Sequence, residues 1–226
     1  MMKKAVIFDL DDTLYDYDSI NKKALDIVFE NTGKEFSCTV QKVADAFEIA
    51  RKEVKECLGQ TAAAHNRMLY FQRTLEHLRQ NPLLYSEEMY NLYWDYMLQH
   101  MELNDGVIDV LEYCRKMGIK VGICTDLTAH IQHRKLKRLG IASYISALVT
   151  SEEAGSEKPN QAIFRMILAK LCVKPDEALY VGDSLEKDII GAQNAGMDAV
   201  WFSSVFEGGV KTITRINEVK EMLHED

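Results

Sequence analysis

Apolar positions along the chain follow two spacings. Val6, Ile7 and Phe8 form a short run with no turn residue inside it, the pattern of a buried parallel strand, and the run stops at Asp9. From residue 15 to 104 the spacing is helical. Ala24, Leu25, Ile27, Val28 and Phe29 share one face of a helix that starts at Asp18 or Ser19 and stops at Thr32-Gly33. Further helices are predicted over Val40 to Leu58, over Ala62 to Arg79 with a stop at Asn81-Pro82, and over Ser86 to Met101, where Glu87 and Glu88 put acids in the first turn. No strand pattern interrupts this stretch. It therefore predicts a helical bundle packed around Phe47, Tyr70, Phe71, Tyr85, Tyr90, Tyr93, Trp94 and Tyr96.

At Asn104-Asp105-Gly106 the pattern changes to alternation of helix and strand. Helix Val107 to Met117 precedes strand Ile119 to Cys124; helix Thr128 to Leu139 precedes strand Ala147 to Thr150. The helix after Pro159 runs to about Leu171, followed by strand Ala178 to Val181, helix Leu185 to Ala195, strand Ala199 to Phe202 and a closing helix from Lys211 to Asp226. Such alternation implies right-handed crossovers and a parallel sheet covered on both faces, with residues 4 to 9 as one of its strands. The expected class is α/β. A doubly wound, Rossmann-like core comprises residues 1–14 and 105–226, and an all-helical cap of residues 15–104 is inserted after the first strand. A bundle hung on two connections beside Asp9 can serve as a lid over whatever binds there.

Composition narrows the function classes. The 35 acids against 27 bases leave a net charge of -8, which argues against a broad basic footprint and a nucleic-acid partner. The five cysteines (Cys38, Cys57, Cys114, Cys124, Cys172) are odd in number, widely spaced and without a Cys-x-x-Cys pair, so neither a zinc site nor a disulfide framework is indicated. The apolar run after Lys3-Lys4 reaches Asp9 too soon for a signal peptide, and no run is long enough to span a bilayer. A cytoplasmic protein with no membrane partner is expected.

Chemistry concentrates at predicted strand ends, where open α/β sheets bind ligands. Asp9, Asp11 and Asp12 crowd the first of them; their mutual repulsion is relieved by a divalent cation or by protonation of one acid. Asp9 and Asp11 can then divide the labour, one ionised as ligand and nucleophile, the other protonated as general acid. Asp11, Asp12 and Thr13 also suit a simple turn or helix cap. Thr125 and Asp126 follow the strand at Val121-Gly122-Ile123 and can hold an anion with the free amides there, or cap the next helix, or both. Lys158, before Pro159, suits the neutralisation of phosphate charge, although a lysine in isolation reads more readily as solvated surface. In Gly182-Asp183-Ser184, the glycine allows a tight turn that aims Asp183 at the sheet edge of Asp9, and Asp188, one helical turn beyond Ser184, can orient Lys158 or a bound water. Asp9, the main-chain carbonyl of Asp11, and Asp183 would suffice as protein ligands for Mg²⁺. Thr125, Lys158 and loop amides remain for phosphate oxygens and Asp11 for the leaving oxygen, a set suited to phosphoryl transfer. Glu186 and Lys187 read as solvated helix surface.

Four ordered motifs, Asp-x-Asp-x-Thr at 9–13, the Thr125 segment, Lys158-Pro159, and Gly-Asp-Ser with Asp188, resemble those of the haloacid dehalogenase superfamily, specifically its phosphatase branch with a helical (C1-type) cap. The resemblance implies that Asp9 is phosphorylated, that Asp11 protonates the leaving group and then activates water, and that Thr125 and Lys158 bind phosphate. It also implies that Asp9, Asp11 and Asp183 hold Mg²⁺ with Asp188 and Ser184 outside them. Asp126 stands where related enzymes often carry Asn. Metal-free dehalogenases of the superfamily lack the second Asp of the pair, so Asp11 and Asp183 favour a phosphate ester, a small metabolite such as a nucleoside monophosphate or sugar phosphate. A phosphomutase shares the core chemistry. A phospho-receiver module would join similar residue types, but in a chain about half as long and without the insertion.

Overall fold

The computed structural model describes residues 3–224. Strand β1 (Ala5–Phe8), fully buried as its uninterrupted apolar run requires, lies in the interior of a six-stranded parallel sheet. The other strands are β2 (Lys120–Thr125), β3 (Ala147–Thr150), β4 (Ala178–Gly182), β5 (Asp198–Phe202) and β6 (Thr212–Ile213), in the order β3-β2-β1-β4-β5-β6. The chain thus leaves β1 to one side for β2 and β3 and crosses to the other for β4, which makes the carboxyl end of β1 a topological switch point. Phe8 pairs in register with Ile123 of β2 and with Val181 of β4. Asp9 therefore stands level with Cys124 and Gly182, and Thr125 and Asp183 lie one residue further out on the flanking strands.

One face of the sheet is sealed by Ile163, Phe164, Ile167 and Leu168, packed against Ala5, Ile7 and Tyr180. Gly122 on β2 allows this close approach: a Cβ there would lie 2.9 Å from Leu171 Cδ1. Burial of such side chains contributes roughly 1.5–3 kcal/mol each and is the main force holding the sheet to its helices.

Residues Tyr17–Met101 form one compact unit and the rest of the chain another. The first is all helical: α1 (Tyr17–Glu35), α2 (Val40–Leu58), α3 (Arg67–His77) and α4 (Pro82–His100), with a 3-10 turn at Ala62–His65. Its interior is a chain of rings, Phe29 against Phe47 at 5.2 Å, Phe47 against Tyr70 at 5.8 Å, Phe71 against Tyr93 at 6.0 Å and Tyr93 against Trp94 at 4.9 Å. Tyr85, Tyr90 and Tyr96 are only half-buried.

The structure corrects four boundaries. The first helix runs through Gly33 to Glu35 instead of stopping at Thr32-Gly33. The stretch expected as one helix from Ala62 to Arg79 is broken at Asn66, whose side chain caps α3 by accepting from the amide of Met68 at 2.9 Å. Asn81-Pro82, read as a stop, is the start of α4: the Asn81 side chain accepts from Leu83 N at 3.0 Å and Pro82 fills the first turn, where its missing N–H costs nothing. The closing helix expected from Lys211 is instead β6, whose β-branched Thr212 and Ile213 extend the sheet edge, a 3-10 turn at Ile216–Glu218 and one short helical turn at Val219–Met222. Glu225 and Asp226 lie outside the described residues. Among the described residues no helix is long and apolar enough to cross a membrane.

Candidate active site

Asp9 follows β1 directly and is held to the sheet by its amide, which donates to Val181 O at 2.9 Å. Lys158 Nζ lies 2.7 Å from Asp9 Oδ1 and 2.6 Å from Asp188 Oδ1, and all three residues are buried. Asp188 is itself pinned: its Oδ2 accepts from Ser184 N at 3.0 Å, and Tyr180 Oη stands 3.0 Å from its Oδ1 and 3.0 Å from Cys124 O, so the phenol proton is shared between two acceptors. This close packing depends on Gly182, because a Cβ at that position would fall 2.4 Å from Asp188 Cγ. The backbone after Ser184 takes a wide π-turn, Leu185–Ile190, in place of the regular helix expected there, with Ser184 O accepting from both Asp188 N and Ile189 N.

Asp183 is fixed from two sides: Thr13 Oγ1 donates to its Oδ1 at 3.1 Å and Trp201 Nε1 to its carbonyl at 2.7 Å. Thr13 in turn is held by Asn104, whose amide donates to Thr13 O at 2.9 Å. Between them Asp12 adopts a left-handed φ of 59°, which turns the loop after Asp11.

Burial pushes the Asp9 carboxyl well above the usual carboxylate range; Lys158 pulls it down, while Asp188, Asp183 and Asp11 push it further up. Burial likewise opposes the Lys158 ammonium, but Asp188 and Asp9 outweigh it and hold the lysine above its ordinary value. Asp183 is raised by burial and by Asp188. One buried cation therefore serves a group of carboxylates whose repulsion it only partly offsets. Carboxylate oxygens of Asp9, Asp183 and Asp188 lie within 4.8 Å of one another, an all-oxygen donor set of the kind a hard divalent cation takes. The residues present fit such an ion.

Thr125 is buried at the end of β2, and its hydroxyl accepts from Gln132 Nε2 at 2.7 Å. Neither Thr125 nor Asp126 caps the next helix (Ala129–Arg138), which starts after Thr128. The Asp126 carboxylate is engaged elsewhere: Oδ1 accepts from Lys158 N at 3.1 Å and Oδ2 from Lys187 Nζ at 2.9 Å. Lys187, expected as solvated surface, is half-buried between Asp126 and Glu157, while Glu186 is exposed. Asp11 presents its carboxylate to Lys135, whose Nζ is 2.7 Å from Oδ1 and 2.8 Å from Oδ2, and to the Tyr15 hydroxyl at 2.6 Å.

Lys135, Gln132, Tyr15 and Tyr180 also line this arrangement, and no motif in the sequence singles them out. Gln132 and Lys135 were the detectable pair. They share the face of their helix with Ile131 and Leu136 and are 0% exposed. Polar residues at core positions of an amphipathic helix signal a partner inside. Tyr15 and Tyr180 carry no such signal, since a tyrosine in a buried segment looks like any other ring.

The family model for haloacid dehalogenase-like hydrolases matches residues 6–202. The chain is 38% identical over 205 residues to the ribulose-1,5-bisphosphate 5-phosphatase of Halopiger xanaduensis, covering 89% of this chain and 85% of that protein. It is 36% identical over 206 residues to the glyceraldehyde 3-phosphate phosphatase of Methanopyrus kandleri, covering 88% and 83%. Among solved structures, a haloacid dehalogenase-type phosphatase from Thermococcus onnurineus superposes with a TM-score of 0.77 at 26% identity, covering 97% of each chain. The chain belongs to the haloacid dehalogenase-like hydrolase family. Within it, the chain is a hydrolase of the phosphatase branch.

Proposed function

We propose that the protein is a Mg²⁺-dependent phosphomonoester phosphatase that acts on a small sugar phosphate through a covalent phosphate on Asp9. The observation that carries this reading is the buried Lys158 ammonium bridging Asp9 and Asp188 beside Asp183, at the carboxyl ends of β1 and β4. The relatives named for ribulose 1,5-bisphosphate and glyceraldehyde 3-phosphate support a small phosphorylated sugar over a nucleotide. They also favour hydrolysis over the phosphomutase alternative. The family match to a hydrolase sets aside a receiver module.

Asp9 is the nucleophile. One of its carboxylate oxygens forms a bond to phosphorus as the bond from phosphorus to the ester oxygen breaks, and Asp11 delivers a proton to the departing alcohol. Water then attacks the phosphorus, losing its proton to Asp11, and the bond from phosphorus to Asp9 breaks to release inorganic phosphate. Lys158 offsets the charge of the transferring group, Asp188 fixes Lys158, and Thr125 contributes its hydroxyl to a phosphate oxygen. Asp126 acts at one remove, through its hold on the Lys158 amide. Asp9 and Asp183, with the Asp11 carbonyl, would hold Mg²⁺, which when bound supplies positive charge to the phosphate oxygens. The helical unit is the cap.

With p-nitrophenyl phosphate as substrate, chelation of divalent metal should abolish phosphate release and added MgCl₂ should restore it. Turnover undiminished by exhaustive chelation would refute the metal requirement. Lys135→Met is expected to lower kcat about tenfold or more while KM stays within about twofold, because the side chain that orients Asp11 contacts no phosphate in this scheme. A change confined to KM would remove Lys135 from the account of Asp11.

A further inference from the structure

The Thr125 hydroxyl has one proton and two lone pairs, and a phosphate dianion, which offers acceptors alone, needs that proton. What occupies the lone pairs therefore decides whether Thr125 can serve it. Gln132 Nε2 lies 2.7 Å from Thr125 Oγ1 and 2.7 Å from Asp126 O, while Asp11 Oδ2 stands further off at 3.5 Å. An amide nitrogen carries two hydrogens, so the two short contacts use both. Chemistry fixes the orientation of this amide: a main-chain carbonyl only accepts, and turning the side chain over would set oxygen against oxygen at Asp126. The amide keeps the orientation although its Oε1 is buried without a partner among the described residues, which is unfavourable in general.

A pure donor thus fills one lone pair of the Thr125 hydroxyl, and its proton must point elsewhere. The one acceptor in its reach among the described residues is Asp126 O at 3.3 Å, beyond the roughly 2.5–3.0 Å usual for a hydroxyl donor, and that carbonyl already receives the Gln132 amide. The proton is left for a ligand. Gln132 is 0% exposed and lies one helical turn before Lys135, equally buried, on the helix Ala129–Arg138. One helix face therefore reaches Thr125 with one side chain and Asp11 with another. We propose that Gln132 is a positioning residue for phosphate: its amide keeps the Thr125 hydroxyl proton available to a phosphate oxygen, and without it Thr125 donates to the Asp126 carbonyl instead. This rests on the phosphatase reading, which makes Thr125 a phosphate ligand.

Gln132→Met keeps the length of the side chain and removes the donor. It is made in the wild type and together with Thr125→Val, which lacks the hydroxyl. Binding of inorganic phosphate in the presence of MgCl₂ is measured by calorimetry, and turnover of p-nitrophenyl phosphate in parallel. Gln132→Met is expected to weaken phosphate binding about fivefold or more and to raise KM in step, with a smaller fall in kcat, because a hydrogen bond to a charged group is at stake. On the Thr125→Val background the same change should alter phosphate affinity by less than about twofold, the contact it serves being already gone. An equal loss on both backgrounds would make Gln132 a support of the fold alone and overturn the inference. So would a fall in kcat with phosphate affinity unchanged, which would tie Gln132 to Asp11, since inorganic phosphate has no leaving group to protonate. Wild-type crystals soaked with tungstate test the geometry without any variant. Thr125 Oγ1 should lie within hydrogen-bond distance of both a tungstate oxygen and the Gln132 amide, and a hydroxyl out of reach of tungstate, or no tungstate beside Thr125, overturns the inference. Wild-type protein inactive on p-nitrophenyl phosphate would instead overturn the phosphatase reading, and calorimetry and the tungstate crystals would still decide the role of Gln132.

Discussion

Asp9→Asn is expected to eliminate turnover of p-nitrophenyl phosphate, by about a thousandfold or more, while leaving the fold in place. The amide has no lone-pair charge with which to attack phosphorus, and no neighbouring group stands where it can substitute. Asp11 is committed to Lys135 and Tyr15, and Asp188 to Lys158, Tyr180 and Ser184. The structural consequence is small for a definite reason. Asn keeps the side-chain oxygen that receives Lys158, and it removes one charge from a group whose repulsion raises the Asp9 carboxyl. The loss of an ion pair and the relief of repulsion oppose one another. The melting temperature should therefore stay within a few degrees of wild type, each kcal/mol being worth about 2–4 °C in a chain of this size. Phosphate release and a thermal melt on the same preparation check both parts. A variant that still turns over at the wild-type rate would leave Asp9 without its assigned role, whereas an unfolded variant would show that the ion pair dominates the local balance.

Much of this arrangement is legible in the sequence. A strand that ends on an acid, another that ends on Thr125 and a third that ends at Gly182-Asp183 must share an edge if the sheet is parallel, because parallel strands present their carboxyl ends together. Asp188 was legible for a local reason, its distance of one turn from Ser184, although the wide turn that carries it was not. What escaped was every contact made by a side chain whose type has an ordinary use elsewhere. Lys187 looks like solvent-facing helix, yet Asp126 and Glu157 draw it inward and raise its proton affinity against the opposing effect of burial. Asp126 looks like a phosphate-loop residue, yet its two oxygens hold Lys158 by the backbone and Lys187 by the side chain. Such pairings join positions 32 and 61 residues apart and depend on three-dimensional register that hydrophobic periodicity does not encode. The break at Asn66 belongs to the same class. A cap competes with helix continuation by one hydrogen bond, and the choice is settled by packing.

Lys158→Met should destabilise the core strongly, and the size of the effect follows from what remains behind. Methionine fills the aliphatic volume of lysine, so little packing is lost. Asp9 and Asp188, both buried, lose the cation that stood 2.7 and 2.6 Å away, and Asp183 adds a third carboxylate within 4.8 Å. Removing one partner of a buried ion pair typically costs about 3–5 kcal/mol, which for a chain of this size lowers the melting temperature by roughly 6–20 °C. Activity on p-nitrophenyl phosphate should fall with it, since the same ammonium is assigned to the transferring phosphate. The carboxylates left behind also separate the charge argument from a simple packing defect. If repulsion among them is the cause, MgCl₂ should raise the melting temperature of Lys158→Met more than that of the wild type, because an ion that binds the folded form alone stabilises it by an amount that grows with the logarithm of its affinity there. Equal shifts in the two proteins, or a variant as stable as wild type in chelator, would show that repulsion among the carboxylates of Asp9, Asp183 and Asp188 is not what destabilises the variant.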